Sequence, residues 1–136
     1  ILETIRGKLL KKENGIEQDA ITHFKTLKRG ELPFPSGKFA SSRYSLVELT
    51  PETGRMHQLR KHMAHIFHPI IGDRPHGCNK QNKLFLERLN MNTMLLHALE
   101  LSFTHPVTKD KIELKASIFN EFKRILELEE LSLTAL

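Results

Sequence analysis

The residues best equipped for chemistry are concentrated between positions 55 and 78. They include the cations Arg55, Arg60, Lys61 and Arg74, the amide Gln58, a run of histidines and Cys78. Guanidinium and ammonium groups at this density suit carboxylate or phosphate binding, because a guanidinium offers parallel N–H donors to a two-oxygen anion. Imidazoles add proton transfer or metal ligation. Five of the eight histidines lie between His57 and His76, and His62, His65 and His68 recur at every third position. A zinc site built from these and Cys78 is one reading. However, the spacing is loose, His68 precedes Pro69, and a second cysteine is missing for a finger-type site. No metal and no cofactor is therefore expected. The phosphate-binding glycine loops and the serine-nucleophile elbow are absent from the sequence.

Periodicity sharpens the picture. With Thr53 as N-cap, a helix is expected over about 54–67, stopped before Pro69. At about 100° per residue, Met56, Leu59, Met63 and Ile66 make its apolar face, and His57, Gln58, Lys61, His62 and His65 lie opposite. Arg60 falls at the edge of the apolar stripe, between Met56 and Ala64. A cation there either snorkels to water, forms a structural ion pair, or meets a functional carboxylate. The start of the helix, Thr53–Arg55, offers free backbone N–H groups and an arginine. That suits either a plain cap or a phosphate seat.

Other elements must position this helix. A strand is expected over 20–28, around Ile21, His23 and Phe24, after a tight turn at Asn14-Gly15. Residues 29–42, with Gly30, Pro33, Pro35 and Gly37, read as a loop. Tyr44–Thr50 alternates as a strand, 72–83 reads as a loop, and Leu84–Leu89 as a short helical piece. Met94–Phe103 is the longest strand expectation, with His97 among Leu95, Leu99, Leu101 and Phe103 on one face. It forms a hairpin with Lys111–Ala116, whose Ile112, Leu114 and Ala116 are expected inward. A last helix, capped by Ser117, carries the stripe Ile118, Phe119, Phe122, Ile125 and Leu126. The fold class is α+β, a mainly antiparallel (mixed) sheet with flanking helices.

The chain has 136 residues, 39% hydrophobic and 27% charged, which fits a single globular domain. Its one cysteine allows no internal disulfide and suits a reducing, cytoplasmic setting. No apolar run is long enough for a membrane span. The formal charge of +5 favours a polyanionic partner. That charge is uneven: residues 55–83 contain a single acid, Asp73, whereas Glu127, Glu129 and Glu130 make the tail acidic.

Longer patterns resemble the RluA family of RNA pseudouridine synthases. The matching residues are Leu46-Val47-Glu48-Leu49, Thr53-Gly54-Arg55, His57-Gln58-Leu59-Arg60, His62, and His68-Pro69-Ile70-Ile71-Gly72-Asp73. Leu95-Leu96-His97-Ala98 and Phe103-Thr104-His105-Pro106 follow. Ala20–Phe24, Phe34–Phe39 and Arg43-Tyr44 point to a tRNA-modifying branch. The resemblance implies isomerisation of uridine to pseudouridine on a base taken out of its stack. It implies that Arg60 pairs with a catalytic aspartate, and that Arg55, His57, Gln58, Lys61, His62 and Arg74 face RNA. It also implies that Leu96 and His97 line the pocket. The family's aspartate lies in a His-Arg-Leu-Asp type motif, and these 136 residues contain none. Residues 1–136 are therefore expected to be the C-terminal portion of one catalytic domain, with a less regular opening region 1–43 and a motif-bearing core 44–131. Such a chain is expected to be inactive alone and to partner the remainder of its own domain. The alternative is a catalytically dead RNA-binding module of the same family.

Overall fold

The computed structural model describes residues 2–10 and 15–135. The strands β1 (Glu3–Leu10), β2 (Glu17–Leu32) and β3 (Ser42–Pro51) come first. Helices α1 (Gln58–His65) and α2 (Asn79–Leu89) follow, then strands β4 (Glu100–Thr104) and β5 (Lys111–Lys115). Helix α3 (Asn120–Leu126), a 3-10 turn (Glu129–Leu131) and strand β6 (Thr134–Ala135) close the chain. One sheet has the order β1-β2-β3, with β6 also pairing β2; the second is the β4-β5 hairpin. All described pairings are antiparallel, so the fold is α+β as expected. No described helix is long and apolar enough to cross a membrane.

β2 organises the domain because it is long and changes face midway. Up to Thr26 it pairs in register with β3, then a bulge at Leu27 shifts the ladder so that Lys28 faces Leu46. An extra residue on one strand moves later side chains to the other face. Ala20 and Thr22 therefore lie on one face, and Gly30 and Leu32 on the other. Helix α1 crosses the first face. The main core sits on the second, where Leu32, Phe34, Phe85, Met91, Ile125 and Leu131 pack together. Edge-on contacts of Phe34 and Tyr44 with Phe85, at 6.1 and 5.3 Å between ring centroids, fix α2 there.

Several expectations shift. The opening region 1–43, expected to be less regular, supplies two strands of the main sheet. Gly30 lies inside β2 rather than in a loop, because an added Cβ would sit 2.6 Å from the Leu131 carbonyl oxygen. The missing side chain lets the 3-10 turn close onto the sheet. Gly15 has φ 67, as a turn requires, while Asn14 lies outside the described residues. α1 starts at Gln58, not Gly54, and its N-cap is His57, which has no side-chain cap bond. Thr53 is occupied elsewhere: its hydroxyl donates to Gln58 Oε1 at 2.6 Å. α2 begins at Asn79 within the expected loop, because the Asn82 side chain accepts from Gly72 N and donates to the Asp73 carbonyl. α3 starts at Asn120 with Phe119, not Ser117, at its cap.

The expected 94–103 strand is only Glu100–Thr104. Upstream, Leu95 N–H donates to the Ile71 carbonyl at 2.8 Å and so leaves any strand ladder. The hairpin with Lys111–Lys115 forms as expected, in a register that pairs Leu101 with Leu114 and Phe103 with Ile112. Of these, Ile112 and Leu114 were expected inward. Ile112 is partly buried, but Leu114 is 52% exposed and Leu101 opposite it 59%, and the two strands pack mainly on each other.

Gly30→Ala is expected to lower stability by about 1–3 kcal/mol through overpacking against Leu131. Urea unfolding reads this directly, and an unchanged midpoint would contradict the close approach.

Candidate functional site

The site is anchored by Arg60. Its Nε donates to Asp73 Oδ2 at 3.0 Å and its Nη2 to Oδ1 at 2.9 Å, a two-bond fork. Asp73 is 1% exposed and Arg60 17%. The Arg60 guanidinium, together with the His76 backbone N–H, holds the Asp73 carboxyl below the usual carboxylate range against the opposing effect of burial. The carboxylate in turn raises the pKa of Arg60. Sequence periodicity asked for a carboxylate partner at Arg60. Within this chain that partner is Asp73, the one acid in the basic stretch, so the structural ion pair is present. No described residue engages Nη1 of Arg60, so part of the guanidinium stays available to a second acceptor.

The pair continues into a ring of contacts. His76 N–H donates to Asp73 Oδ1 at 3.2 Å, and His76 Nε2 lies 3.1 Å from His57 Nδ1. His57 takes a left-handed backbone, φ 53, just before α1. Arg60, Asp73, His76 and His57 therefore tie the first turn of α1 to the 70s loop. Gly72 (φ 88) lets that loop turn, since a Cβ there would meet the Thr93 carbonyl at 2.2 Å.

Gln58 and His62 were expected to face RNA, and the structure places both against the sheet. Gln58 is 4% and His62 3% exposed. Gln58 Oε1 accepts from the Thr53 hydroxyl and from Arg55 N–H. Its Nε2 donates to the Ile21 carbonyl and to Thr22 Oγ1, both at 3.0 Å. Thr22 Oγ1 lies 2.8 Å from His62 Nδ1. The direction of this bond follows the tautomer of the His62 ring. His62 Nε2 is buried and without a partner among the described residues. Burial, followed by the nearby His65, lowers the His62 pKa. Apolar periodicity missed this because a polar network beside the stripe also docks α1: Met63 is buried at 4%, as expected of the stripe, but Met56 is 50% exposed while Gln58 and His62 are buried.

The remaining expected residues are more dispersed. Arg55 Nε donates to the Asp19 carbonyl at 2.8 Å, which holds its side chain along β2. Lys61 is partly exposed and Arg74 exposed. Leu96 and His97 lie on the irregular segment before β4, where His97 Nε2 meets the Ala116 carbonyl oxygen at 3.0 Å and its ring leans on Phe119. The shallow depression bounded by Arg29, Arg43, Tyr44 and Leu131 includes neither residue. His62, His65 and His68 do not converge, and no described group of three or more His, Cys, Asp or Glu residues forms a metal site. Sequence reasoning passed over His76 and Thr22. Nothing in the sequence pointed to Thr22, whereas the partner of Arg60 was signalled by Asp73 being the lone acid between 55 and 83.

A family profile described as RNA pseudouridylate synthase matches residues 3–65. The chain belongs to the RNA pseudouridylate synthase family. It is similar to the tRNA pseudouridine synthase C of Vibrio parahaemolyticus, 48% identical over 108 residues, covering 79% of this chain and 44% of that protein. It is also similar to the tRNA pseudouridine synthase C of Vibrio cholerae, 42% identical over 125 residues, covering 92% of this chain and 51% of that protein. A solved structure, human RNA pseudouridylate synthase domain containing 1, shares the fold with a TM-score of 0.60 and 24% identity. It covers 85% of this chain and 48% of that one. The chain thus spans about half the length of the curated relatives it matches.

Arg60→Met should lower stability by about 3–5 kcal/mol near neutral pH, because it leaves a buried carboxylate unpaired. The folded pKa of Asp73 is depressed, so the pair's contribution is complete above the ordinary carboxylate range and is lost as pH falls through the folded value. The gap between wild type and variant should close in that acid window. Equal stability at pH 7 would contradict the assignment. At the other end of α1, a Cβ on Gly7 would lie 4.0 Å from His62 Nε2. Gly7→Ser puts a hydroxyl, which can donate or accept, within reach of the unpartnered Nε2. It should exceed Gly7→Ala in stability by about 0.5–1.5 kcal/mol, and equality of the two would mean that Nε2 is already satisfied.

Proposed function

We propose that this chain forms the RNA-facing half of a tRNA pseudouridine synthase domain, with Arg60 holding the catalytic aspartate supplied by the remainder of that domain. The supporting observation is the fork from Arg60 to Asp73. It uses Nε and Nη2, fixes the guanidinium in place, and leaves Nη1 for a second carboxylate. A preset cation is what a catalytic carboxylate needs to stay ionised and oriented. In the reaction the N1–C1′ bond of uridine breaks, a C5–C1′ bond forms, and the C5 hydrogen leaves as a proton. N1 takes up a proton in exchange, so the product is an isomer of the uridine and no net oxidation occurs.

On this reading Arg55, His57, Lys61 and Arg74 contact the RNA backbone, while Leu96 and His97 sit at the pocket wall. The exposed apolar residues Leu101, Phe103 and Leu114 are the surface the rest of the domain covers, since an apolar two-stranded hairpin is marginal by itself. The second reading, an RNA-binding module without catalysis, draws on the basic stretch 55–83 alone.

The test is tritium release from a tRNA transcript carrying uridine labelled at C5. The chain alone should release none. The chain joined to the aspartate-bearing half of the Vibrio parahaemolyticus relative should turn over. Arg60→Lys in that joined protein should slow turnover by about 10²-fold or more while tRNA binding persists. Full turnover with Arg60→Lys would overturn the role of Arg60, and binding without any release would favour the binding module.

A further inference from the structure

The ring that starts at Arg60 ends in two imidazoles whose job within the fold is incomplete. His57 Nδ1 and His76 Nε2 are 3.1 Å apart, with ring centroids at 5.3 Å and planes at 68°. A bond between two imidazole nitrogens holds one proton: one ring donates and the other must accept. The pair is thus intact only while at least one ring is neutral. It sits at the surface, where a buried structural bond is not needed, yet it is held from both sides. His76 is fixed through its own N–H on Asp73, and His57 by a left-handed backbone that an L-residue adopts only at some cost.

The charges facing the pair are unbalanced. From α1 come Arg60 and Lys61; from the 70s loop come Asp73 and His76. The Asp73 charge is already matched by Arg60 through two bonds. What remains around His57 is positive, and its pKa is lowered by its partial desolvation and then by Arg60, His76 and Lys61. An anion arriving here would reverse that balance.

We propose that His57 and His76 form a clamp for one RNA phosphodiester that closes by taking up a proton. This rests on the RNA-facing reading above and adds His76 to it. In the free chain one ring N–H is shared across the N···N bond, which one ring donates and the other accepts. When a phosphate group approaches, that bond opens and the accepting nitrogen takes up one proton from solvent. Both rings then donate N–H to phosphate oxygens, one as an imidazolium and the other neutral. Proton and phosphate then bind as a linked pair, so affinity for RNA falls as pH rises through the histidine range. Above the free histidine pKa, uptake of one proton corresponds to about tenfold in affinity per pH unit.

The experiment uses the full 136-residue chain and an unmodified tRNA transcript. Affinity is measured from pH 6.0 to 8.5 at fixed ionic strength and, at pH 7, over a range of salt. Binding is expected to weaken by up to about tenfold per unit for the wild type and to be nearly flat with pH for His76→Gln, with the salt slope of both retained. Calorimetry of the wild type in two buffers of different ionisation enthalpy reads the proton uptake without any variant, and about one proton per tRNA is expected. Salt-dependent binding with no proton uptake would overturn the clamp and leave the RNA-facing reading standing. A pH dependence unchanged in folded His76→Gln, checked by circular dichroism, would do the same. No salt-dependent tRNA binding at any pH would overturn both.

Discussion

A carboxylate left with 1% of its surface in water, as at Asp73, is sustained only by partners that replace its hydration. Arg60 supplies two of its hydrogen bonds and the His76 backbone a third. Removing the arginine would leave a buried charge, and removing the carboxylate would leave the cation at the helix edge unmatched. The segment between α1 and α2 is shaped around this demand. It turns at Gly72, passes Asp73 under the helix, and is clasped from the other side by the Asn82 side chain. Through the Arg60–Asp73 pair, two helices on different parts of the sheet acquire a fixed relation.

β2 makes that relation useful. Before its bulge it offers Ala20 and Thr22 to α1; after it, Leu32 to the core formed with Phe34, Phe85 and Leu131. The two faces are built on different physics. The second is ordinary apolar packing. The first is a polar dock in which Thr22, Thr53, Gln58 and His62 exchange a defined set of protons. Such a network fixes the helix register more tightly than apolar contact alone, because each donor must meet one acceptor. With register fixed, Arg60 and the His57–His76 pair emerge at the same end of α1.

The β4-β5 hairpin stands apart. One face carries the ion pairs Lys111–Glu113 and Lys115–Glu100, and the other carries exposed leucines and Phe103. An amphipathic sheet of two strands leaves its apolar face open to solvent. That agrees with a chain spanning about half the length of its relatives.

The sequence by itself determined the fold class and the family, and singled out Arg60 as a cation in need of a partner. The strands of 44–50 and 111–116, and a helix within 54–67, follow from local periodicity, which needs no knowledge of what they touch. Arg60 stood out because a cation at the edge of an apolar stripe requires an explanation. Only the tertiary structure decided which carboxylate answers it, that Gln58 and His62 turn toward the sheet, and that Gly30 continues a strand. Each of these depends on a partner distant along the chain: Thr22 for His62, Leu131 for Gly30, and the turned loop for Asp73. Periodicity records how often a residue type recurs on a face, but not whether the facing surface is apolar or a hydroxyl waiting for an imidazole. The docking of α1 was settled by that second property.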